Sequence, residues 1–282
     1  MSSFTPGLYI VSTPIGNLDD ITLRSIDILK KSEIILCEDT RRSLKLLNHF
    51  KIKKKLISYH KFNEKKQVDK IIQYLNKGKI LSLISDAGTP LISDPGRLLV
   101  NECVRQDINV YPIPGPSSIT AAMSISGFDD KFLFYGFLPK TEKEVEKVIS
   151  SLNKINYSLV FFISGVKIDF YLKIFKKFFN SRDILIAREI TKIHEYFYRS
   201  SIEKLKYFDS KLKGELTIVI SNKYNKDNII EVDDSKMIKK ATRYLIKYSL
   251  KDTVELITTK YGISKNKAYK ICLKAKTNAN SS

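Results

Sequence analysis

Short runs of Ile, Leu, Val and Tyr recur through the first 127 residues of this chain, each broken by a loop of Gly, Pro, Ser, Thr or Asp and followed by a helix-length segment. Leu8–Ser12, Ile34–Cys37, Leu56–Tyr59, residues 79–86 and Asn109–Pro112 read as strands. Thr22 is placed to cap a helix with Leu23, Ile26 and Leu29 on one face. Further helices are expected at Ser43–Phe50, up to Asn76, over Leu98–Gln106, and through Ala121, Ala122 and Ser124. This alternation argues for a mostly parallel sheet with helices on both faces, because two parallel strands need a long crossover and a helix supplies it.

The stretch KILSLISDAGTPLISDPG (79–96) is central. A buried strand ends in two turns, Ala87-Gly88-Thr89-Pro90 and Ser93-Asp94-Pro95-Gly96. Loops at the carboxyl ends of parallel strands lie on one edge of a sheet, where open α/β folds bind small ligands. Three such loops, Thr13–Leu18, Ser85–Gly96 and Pro114–Ser118, can therefore converge on one site; taken singly, each also reads as a plain strand-to-helix connection. Other chemistries are set aside by spacing. No two glycines stand two apart, so there is no Gly-x-Gly phosphate fingerprint, and there is no Walker loop or Gly-x-Ser-x-Gly elbow. His49, His60 and His194 lack ligand spacing, so no metal is expected.

A second α/β succession is expected beyond Gly127-Phe128-Asp129-Asp130, with strands at Phe132–Phe137, Ser158–Ile163, Ile184–Arg188, Tyr196–Ser200 and Leu216–Ile220. Helices at 141–153 and 167–179 separate the earlier ones, and two-residue alternation makes 196–200 a half-exposed antiparallel strand. A polar linker near Asn225–Ser235 leads to helices at 236–248 and 251–274, broken at Tyr261-Gly262. The expected domains are thus 1–127, 128–225 and a basic helical extension, 236–282. Cys37, Cys103 and Cys272 are far apart and read as reduced and structural. No apolar run approaches the ~20 residues of a membrane span, and the start MSSFTPGLYIVSTP lacks a signal-peptide layout, so no membrane is expected and the cytoplasm is the default location.

The formal charge is +19, of which residues 234–282 hold twelve basic against three acidic groups. Such a concentration of cations suits a nucleic-acid backbone, and in the last helix Lys265, Lys267 and Lys270 are the candidate nucleic-acid contacts, with Ser264 as its cap and Ile263, Ala268, Ile271 and Cys272 as its apolar side. The alternative is a solvated face that helps the protein pack.

The segments TPIGNLDDITLRS (13–25), CEDTRRS (37–43), SYHKFNE (58–64), SDAGTPLISDPG (85–96), PGPSS (114–118), GFLP (136–139), AREITKIHE (187–195) and KGE (213–215) together resemble the bacterial ribosomal RNA small-subunit methyltransferase I family, within the tetrapyrrole methylase superfamily. SKNKAYK (264–270) matches as well. The resemblance implies an α/β protein with two α/β domains of the tetrapyrrole methylase type, a cofactor cleft between them and a small helical C-terminal extension. It implies a homodimer that uses S-adenosylmethionine to methylate the ribose 2′-hydroxyl of a cytidine in the 16S decoding centre, with 16S rRNA in the 30S subunit as its partner. Carried over by motif, the cofactor would meet Pro14, Ala87, Gly88, Thr89, Ile92, Ser117 and Ser118, and backbone near Ala187 and Thr217. No phosphate cradle is needed, since this cofactor has no phosphate.

Methyl transfer from a sulfonium asks little of an acid, because the leaving thioether is neutral; the harder task is to orient and deprotonate a ribose hydroxyl. Candidates are Asp39, Arg188, Glu189 and Lys192, with Glu195 beside them, while Arg41 and Arg42 are expected at the RNA; His60 reads equally as a structural histidine or a base. For each charged group the alternative is an ion pair or a solvated face. One stretch departs from the family pattern. Where an aromatic-Glu-Ser-x-His-Arg run is usual, this chain has Phe162-Ile163-Ser164-Gly165-Val166-Lys167, so a carboxylate and an imidazole are lost and a guanidinium becomes an ammonium; either lysines such as Lys167 take over the RNA contact here, or activity is weakened. Two rivals follow: a small-molecule tetrapyrrole methyltransferase, and a ribosome-associated RNA-binding protein of weakened catalysis.

Overall fold

The computed structural model describes residues 4–209, 212–222, 234–261 and 265–279. Residues 1–222 form one compact unit and residues 223–282 another.

The larger unit holds two five-stranded sheets. The first contains β1 (Gly7–Val11), β2 (Ile34–Cys37), β3 (Lys55–Ser58), β4 (Ile80–Ile84) and β5 (Val110–Ile113), in the order β3-β2-β4-β1-β5. Every pairing in it is parallel, as the alternation predicts. Its crossovers carry α1 (Leu23–Lys31), α2 (Thr40–His49), α3 (Glu64–Asn76) and α4 (Arg97–Arg105), and α5 (Ser118–Ser126) leaves β5. The strands β2 and β4 are buried almost along their whole length because both faces are covered. One cluster joins Leu36, Leu81 and Leu83 to Ile71, Ile72, Leu75 and Leu99 on one side; the other joins Val11, Ile35 and Ile84 to Ile28, Leu29 and Leu47. Thr22 caps α1 as expected, its hydroxyl accepting from the Ser25 amide at 3.1 Å. Helix α2 starts three residues earlier than the sequence suggests, because Asp39 is its N-cap and accepts from the Arg41 amide at 2.9 Å.

The second sheet, β6-β7-β10-β8-β9, is built from β6 (Phe132–Phe137), β7 (Ser158–Ser164), β8 (Asp183–Arg188), β9 (Tyr196–Ser201) and β10 (Glu215–Ile220), with α6 (Glu142–Leu152) and α7 (Ile168–Phe178) between the earlier strands. Only β6 and β7 are parallel; β10 runs antiparallel to β7 and to β8, and β9 antiparallel to β8. β7 and β8, joined through α7, therefore run in one sense, and β9 and β10 both run in the opposite one. Phe161, Ile163, Ile186 and Ile218 pack on Val145, Ile149, Tyr171 and Phe175 from α6 and α7.

The smaller unit packs α8 (Asp234–Leu245), α9 (Leu250–Tyr261) and α10 (Lys265–Ala279) around Met237, Ala241, Val254, Ile257, Ala268, Ile271, Cys272 and Ala275. Ala268, Ile271 and Cys272 thus form the apolar side expected of the last helix, and Lys270 is exposed. Gly262, Ile263 and Ser264, with the side chains of Lys265 and Lys267, lie outside the described residues. All three cysteines are free and buried. Among the described residues no helix is long and apolar enough to cross a membrane, and no cluster of His, Cys, Asp and Glu could hold a metal.

Candidate active site

Strands β1, β4 and β5 are neighbours in one parallel sheet, so the loops at their carboxyl ends must meet. They are tied together by backbone and hydroxyl bonds. The amides and carbonyls of Thr13 and Gly88 exchange hydrogen bonds of 2.9 and 3.0 Å, a one-residue bridge between the first two loops. Thr13 Oγ1 donates to the Ser85 carbonyl at 3.2 Å, and Ser85 Oγ to the Gly88 carbonyl at 3.3 Å. Thr89 Oγ1 lies 3.0 Å from Ser12 Oγ and donates to the Pro116 carbonyl of the third loop at 3.3 Å. Gly88 has φ +78°, and a Cβ there would lie 3.3 Å from Ile15 Cγ2, between the loops.

Facing these loops is the edge of the second sheet formed by the ends of β6, β7 and β8 and the start of β10. The cavity between the two edges has a volume of about 810 Å³. Pro14, Ala87, Gly88, Thr89, Ile92, Ser117, Ser118 and Thr217 all line it, so eight of the nine residues expected at a cofactor are gathered on one site. Ala187 is the exception: its side chain is fully buried among Ile119, Val160 and Val219, and its place in the sheet is beside Thr217. Ser117 is the N-cap of α5, yet its hydroxyl makes no capping bond and stays available to a ligand.

The charged candidates divide. Glu189 and Lys192 line the cavity. Glu189 Oε1 accepts from the Glu215 amide at 3.0 Å and from Lys192 Nζ at 3.0 Å. Burial raises the affinity of this carboxyl for a proton, but those two donors outweigh it and hold it ionised below its ordinary range. Glu189 and Thr191 have φ of +49° and +65°, conformations that cost a non-glycine residue about 1–3 kcal/mol each and persist only where the surroundings hold them. The holding contacts are visible. The Asn17 amide donates to Thr191 Oγ1 at 3.0 Å and the Thr191 amide to Glu195 at 2.7 Å. Gly16 lets this loop approach the first one so closely that a Cβ would sit 2.5 Å from Lys192 Cγ and 3.0 Å from the Ile190 carbonyl.

Arg188 and Asp39 do not reach the cavity, which corrects their expected place there. The Arg188 guanidinium donates from Nε to the Lys213 carbonyl at 3.1 Å. The Asp39 carboxylate pairs with Arg41 at 2.8 Å, and the Arg41 side chain and amide together hold it well below the usual carboxylate range. Arg42 lines the cavity and pairs with Asp86 at 3.1 Å, whereas Arg41 points to solvent. Lys167 is exposed in the short turn Gly165–Lys167, away from the lining, although Phe162, Ile163 and Ser164 of the same departing stretch belong to it. His60 is a structural histidine here: Nδ1 accepts from the Phe62 amide at 3.3 Å, and the ring does not line the cavity.

Sequence reasoning missed Asp86, Asp94 and Glu215 as lining carboxylates. Asp94 is half-buried, and its carboxyl is pushed up to about 6 by burial first and then by the nearby charge of Glu38, with Asp86 and Glu215 adding to it. Glu38 is raised in turn, by burial and by Asp86. The turn Ser93-Asp94-Pro95-Gly96 was legible, but nothing in it distinguishes a turn-forming Asp from one aimed at a ligand.

A family model described as Tetrapyrrole (Corrin/Porphyrin) Methylases matches residues 7–206. A curated protein from Mesomycoplasma conjunctivae named Ribosomal RNA small subunit methyltransferase I is 48% identical over 225 residues, spanning 79% of this chain and 94% of its own. Its namesake from Thermotoga maritima is 45% identical over 219 residues, 77% of this chain and 98% of its own, and that from Buchnera aphidicola subsp. Acyrthosiphon pisum is 40% identical over 282 residues, 97% and 99%. Among solved structures, the methyltransferase CobJ aligns with a TM-score of 0.58 at 14% identity over 77% of this chain and 94% of that one. Uroporphyrin-III C-methyl transferase from Thermus thermophilus, complexed with S-adenyl homocysteine, aligns with a TM-score of 0.56 at 14% identity over 76% and 97%. At that identity both show a shared fold. This chain belongs to the ribosomal RNA small subunit methyltransferase I family of tetrapyrrole methylases, whose methyl donor is S-adenosylmethionine.

Proposed function

We propose that this chain 2′-O-methylates the ribose of a cytidine in the decoding centre of 16S ribosomal RNA, acting as a homodimer on the 30S subunit in the cytoplasm. The observation that carries the reading is the cavity walled by both sheets, in a chain whose relatives at 40–48% identity are named for the small-subunit RNA. The residues present fit the methyl donor. About 810 Å³ is within the range of cofactor sites. The lining also carries Asp86 and Glu215 with Arg42 and Lys45, groups of both signs that suit a ligand bearing an ammonium, a carboxylate and a sulfonium. Pro14, Ala87, Gly88, Thr89, Ile92, Ser117, Ser118 and Thr217 would hold it through backbone groups and hydroxyls, and when bound it supplies an electrophilic methyl group.

The remaining work falls to the chain's own side chains. Glu189 and Lys192, locked to each other and to the Glu215 amide, present a fixed carboxylate and ammonium that can orient an incoming ribose hydroxyl without reorganising. Ile163, Leu216 and Phe162 form an apolar wall that limits water at the reacting groups. Arg41, exposed on the first turn of α2, and the exposed Lys270 of α10 are placed to meet phosphates. The test is nucleoside mass spectrometry of 16S RNA from a strain lacking this gene. Loss of one 2′-O-methylcytidine, restored by the gene, is expected; an unchanged nucleoside profile overturns the reading.

A further inference from the structure

We infer that Asp94 is the catalytic group that takes the proton from the acceptor ribose hydroxyl, an assignment that rests on the RNA methylation reading above. Geometry carries it by elimination. Four carboxylates line the cavity among the described residues. Asp86 is paired with Arg42 at 3.1 Å and also accepts from the Asp39 amide at 3.2 Å. Glu189 is occupied by Lys192 and the Glu215 amide, and Glu215 itself lies 3.7 Å from Lys192 while its side chain is 85% exposed. Asp94 has no cation within ion-pair distance among the described residues; its polar neighbour is the Ser85 side chain. It is therefore the lining carboxylate whose lone pairs are least committed to holding the fold together.

The backbone that presents it is unusually constrained. Leu91 and Ser93 have φ of +70° and +72°, and Ser93 Oγ lies where a Cβ on Gly136 of β6 would approach to 3.0 Å. Strained non-glycine residues that persist beside a cavity point to a position held for a purpose. The electrostatic surroundings agree. Facing Asp94 are Glu38 from the end of β2, Asp86 from its own loop and Glu215 from β10, with Arg42 and Lys45 of α2 and Glu189 and Lys192 of the β8–β9 loop on the same walls. The excess of carboxylates nearest to it, together with burial, lifts its carboxyl to about 6, so that above neutral pH it is ionised and still more basic than an ordinary aspartate.

In the step so assigned, the ribose oxygen forms a bond to the methyl carbon while the methyl–sulfur bond breaks and its electron pair stays on sulfur. The hydroxyl proton passes to an Asp94 carboxylate oxygen and is later released to water. No oxidant or further reactant is needed.

The test uses the full chain with 30S subunits from a strain lacking the gene, in single-turnover reactions from pH 5.5 to 8.5, with S-adenosylhomocysteine affinity measured alongside. Wild type is expected to lose activity on the acid side with a midpoint near 6. Asp94→Asn should lower the rate by about a hundredfold or more, within the range for a general base, with the affinity for S-adenosylhomocysteine changed less than about threefold. Asp94→Glu should recover part of the rate with a displaced midpoint. An Asp94→Asn rate within about threefold of wild type, or parallel loss of cofactor affinity and rate, overturns the assignment. Should Asp94→Asn not fold, an Asp94→Glu profile superimposable on wild type overturns it instead. A wild-type protein inactive on RNA at every pH defeats the functional reading, and the assignment to Asp94 with it; activity in wild type that survives in Asp94→Asn defeats the assignment alone.

Discussion

The two sheets meet the same cavity in different ways. In the first, all five strands are parallel, and every loop that matters leaves a carboxyl end: Thr13–Leu18 after β1, Ser85–Gly96 after β4, Pro114–Ser118 after β5. These loops are joined by neutral bonds among backbone groups and the hydroxyls of Ser12, Thr13, Ser85 and Thr89. In the second sheet the lining comes from the carboxyl ends of β6, β7 and β8 and the amino end of β10, because β10 runs antiparallel to its neighbours. Here the contacts are ionic, and the backbone is strained at Glu189 and Thr191 as it is at Leu91 and Ser93 on the first edge. The difference suggests a division of labour in which the parallel edge provides a seat knitted by neutral bonds, with the Arg42–Asp86 pair and Asp94 at its rim, and the mixed edge sets the Glu189–Lys192 pair against it.

That division is most directly broken by Gly88→Val on the parallel edge. A β-branched residue at φ +78°, with its Cβ against Ile15, would part the loops joined at Thr13 and Gly88. Affinity for S-adenosylhomocysteine should fall by about a hundredfold or more. The ligand-induced rise in melting temperature, equivalent to about 2.7 kcal/mol at a hundred times Kd in wild type, should shrink to the equivalent of about 0.4 kcal/mol or less at the same ligand concentration. Calorimetric titration that finds unchanged affinity would remove Gly88 from the seat. The complementary change is Glu189→Ala on the mixed edge. Turnover should drop by about tenfold to a hundredfold while S-adenosylhomocysteine affinity moves less than about threefold, because Glu189 is not among the residues that would hold the cofactor. Equal falls in both quantities would show that the two edges do not divide the work.

The same contrast explains what could be read beforehand. A parallel sheet places all its carboxyl-end loops on one edge, so a strand followed by TPIGN, DAGTP or PGPSS already locates a site without knowledge of strand order. That logic locates the three loops, and the eight lining residues expected at a cofactor follow from family motifs. The antiparallel edge has no such rule. Glu189 and the Glu215 amide, 26 positions apart, meet only because β8 pairs with β10 in the register Leu216 to Arg188. Arg188 and Asp39 looked catalytic by residue type, but one is held by the Lys213 carbonyl and the other caps α2, uses that a linear motif does not display. Asp94 was hidden by the opposite effect, since its chemistry depends on Glu38 and Glu215 arriving from elsewhere in the chain.

Asp94 also yields a stability test, smaller in size. A carboxyl whose folded-state value is raised binds its proton more tightly in the folded protein, so the folded state is penalised as pH rises. The penalty is absent below the ordinary aspartate value near 4 and complete above about 6. Asp94→Asn should therefore be more stable than wild type by about 1–2 kcal/mol at pH 8, after allowance for solvent screening of a half-buried group, and no more stable at pH 4. Urea unfolding at the two pH values measures this. A variant that gains stability as its turnover falls would mark Asp94 as a group kept for chemistry at a cost to the fold.

The smallest expected effect on the cavity comes from the basic unit at the C-terminus, which belongs to neither sheet. The cavity lining among the described residues comes wholly from Thr13 to Thr217. The α8–α10 bundle also has its own core, with Ile257, Ala268, Ile271 and Ala275 buried in it. Deleting residues 223–282 should therefore leave S-adenosylhomocysteine affinity within about twofold of wild type. If Lys270 and its basic neighbours grip RNA phosphates, the deletion should weaken binding to 30S subunits. Each phosphate no longer neutralised should also reduce the slope of log affinity against log salt by about 0.7–0.9. Titrations from low to moderate salt, with and without the unit, provide the measurement: an unchanged slope would leave the unit without a part in RNA binding, and a large fall in cofactor affinity would show that the two sheets do not form the seat by themselves.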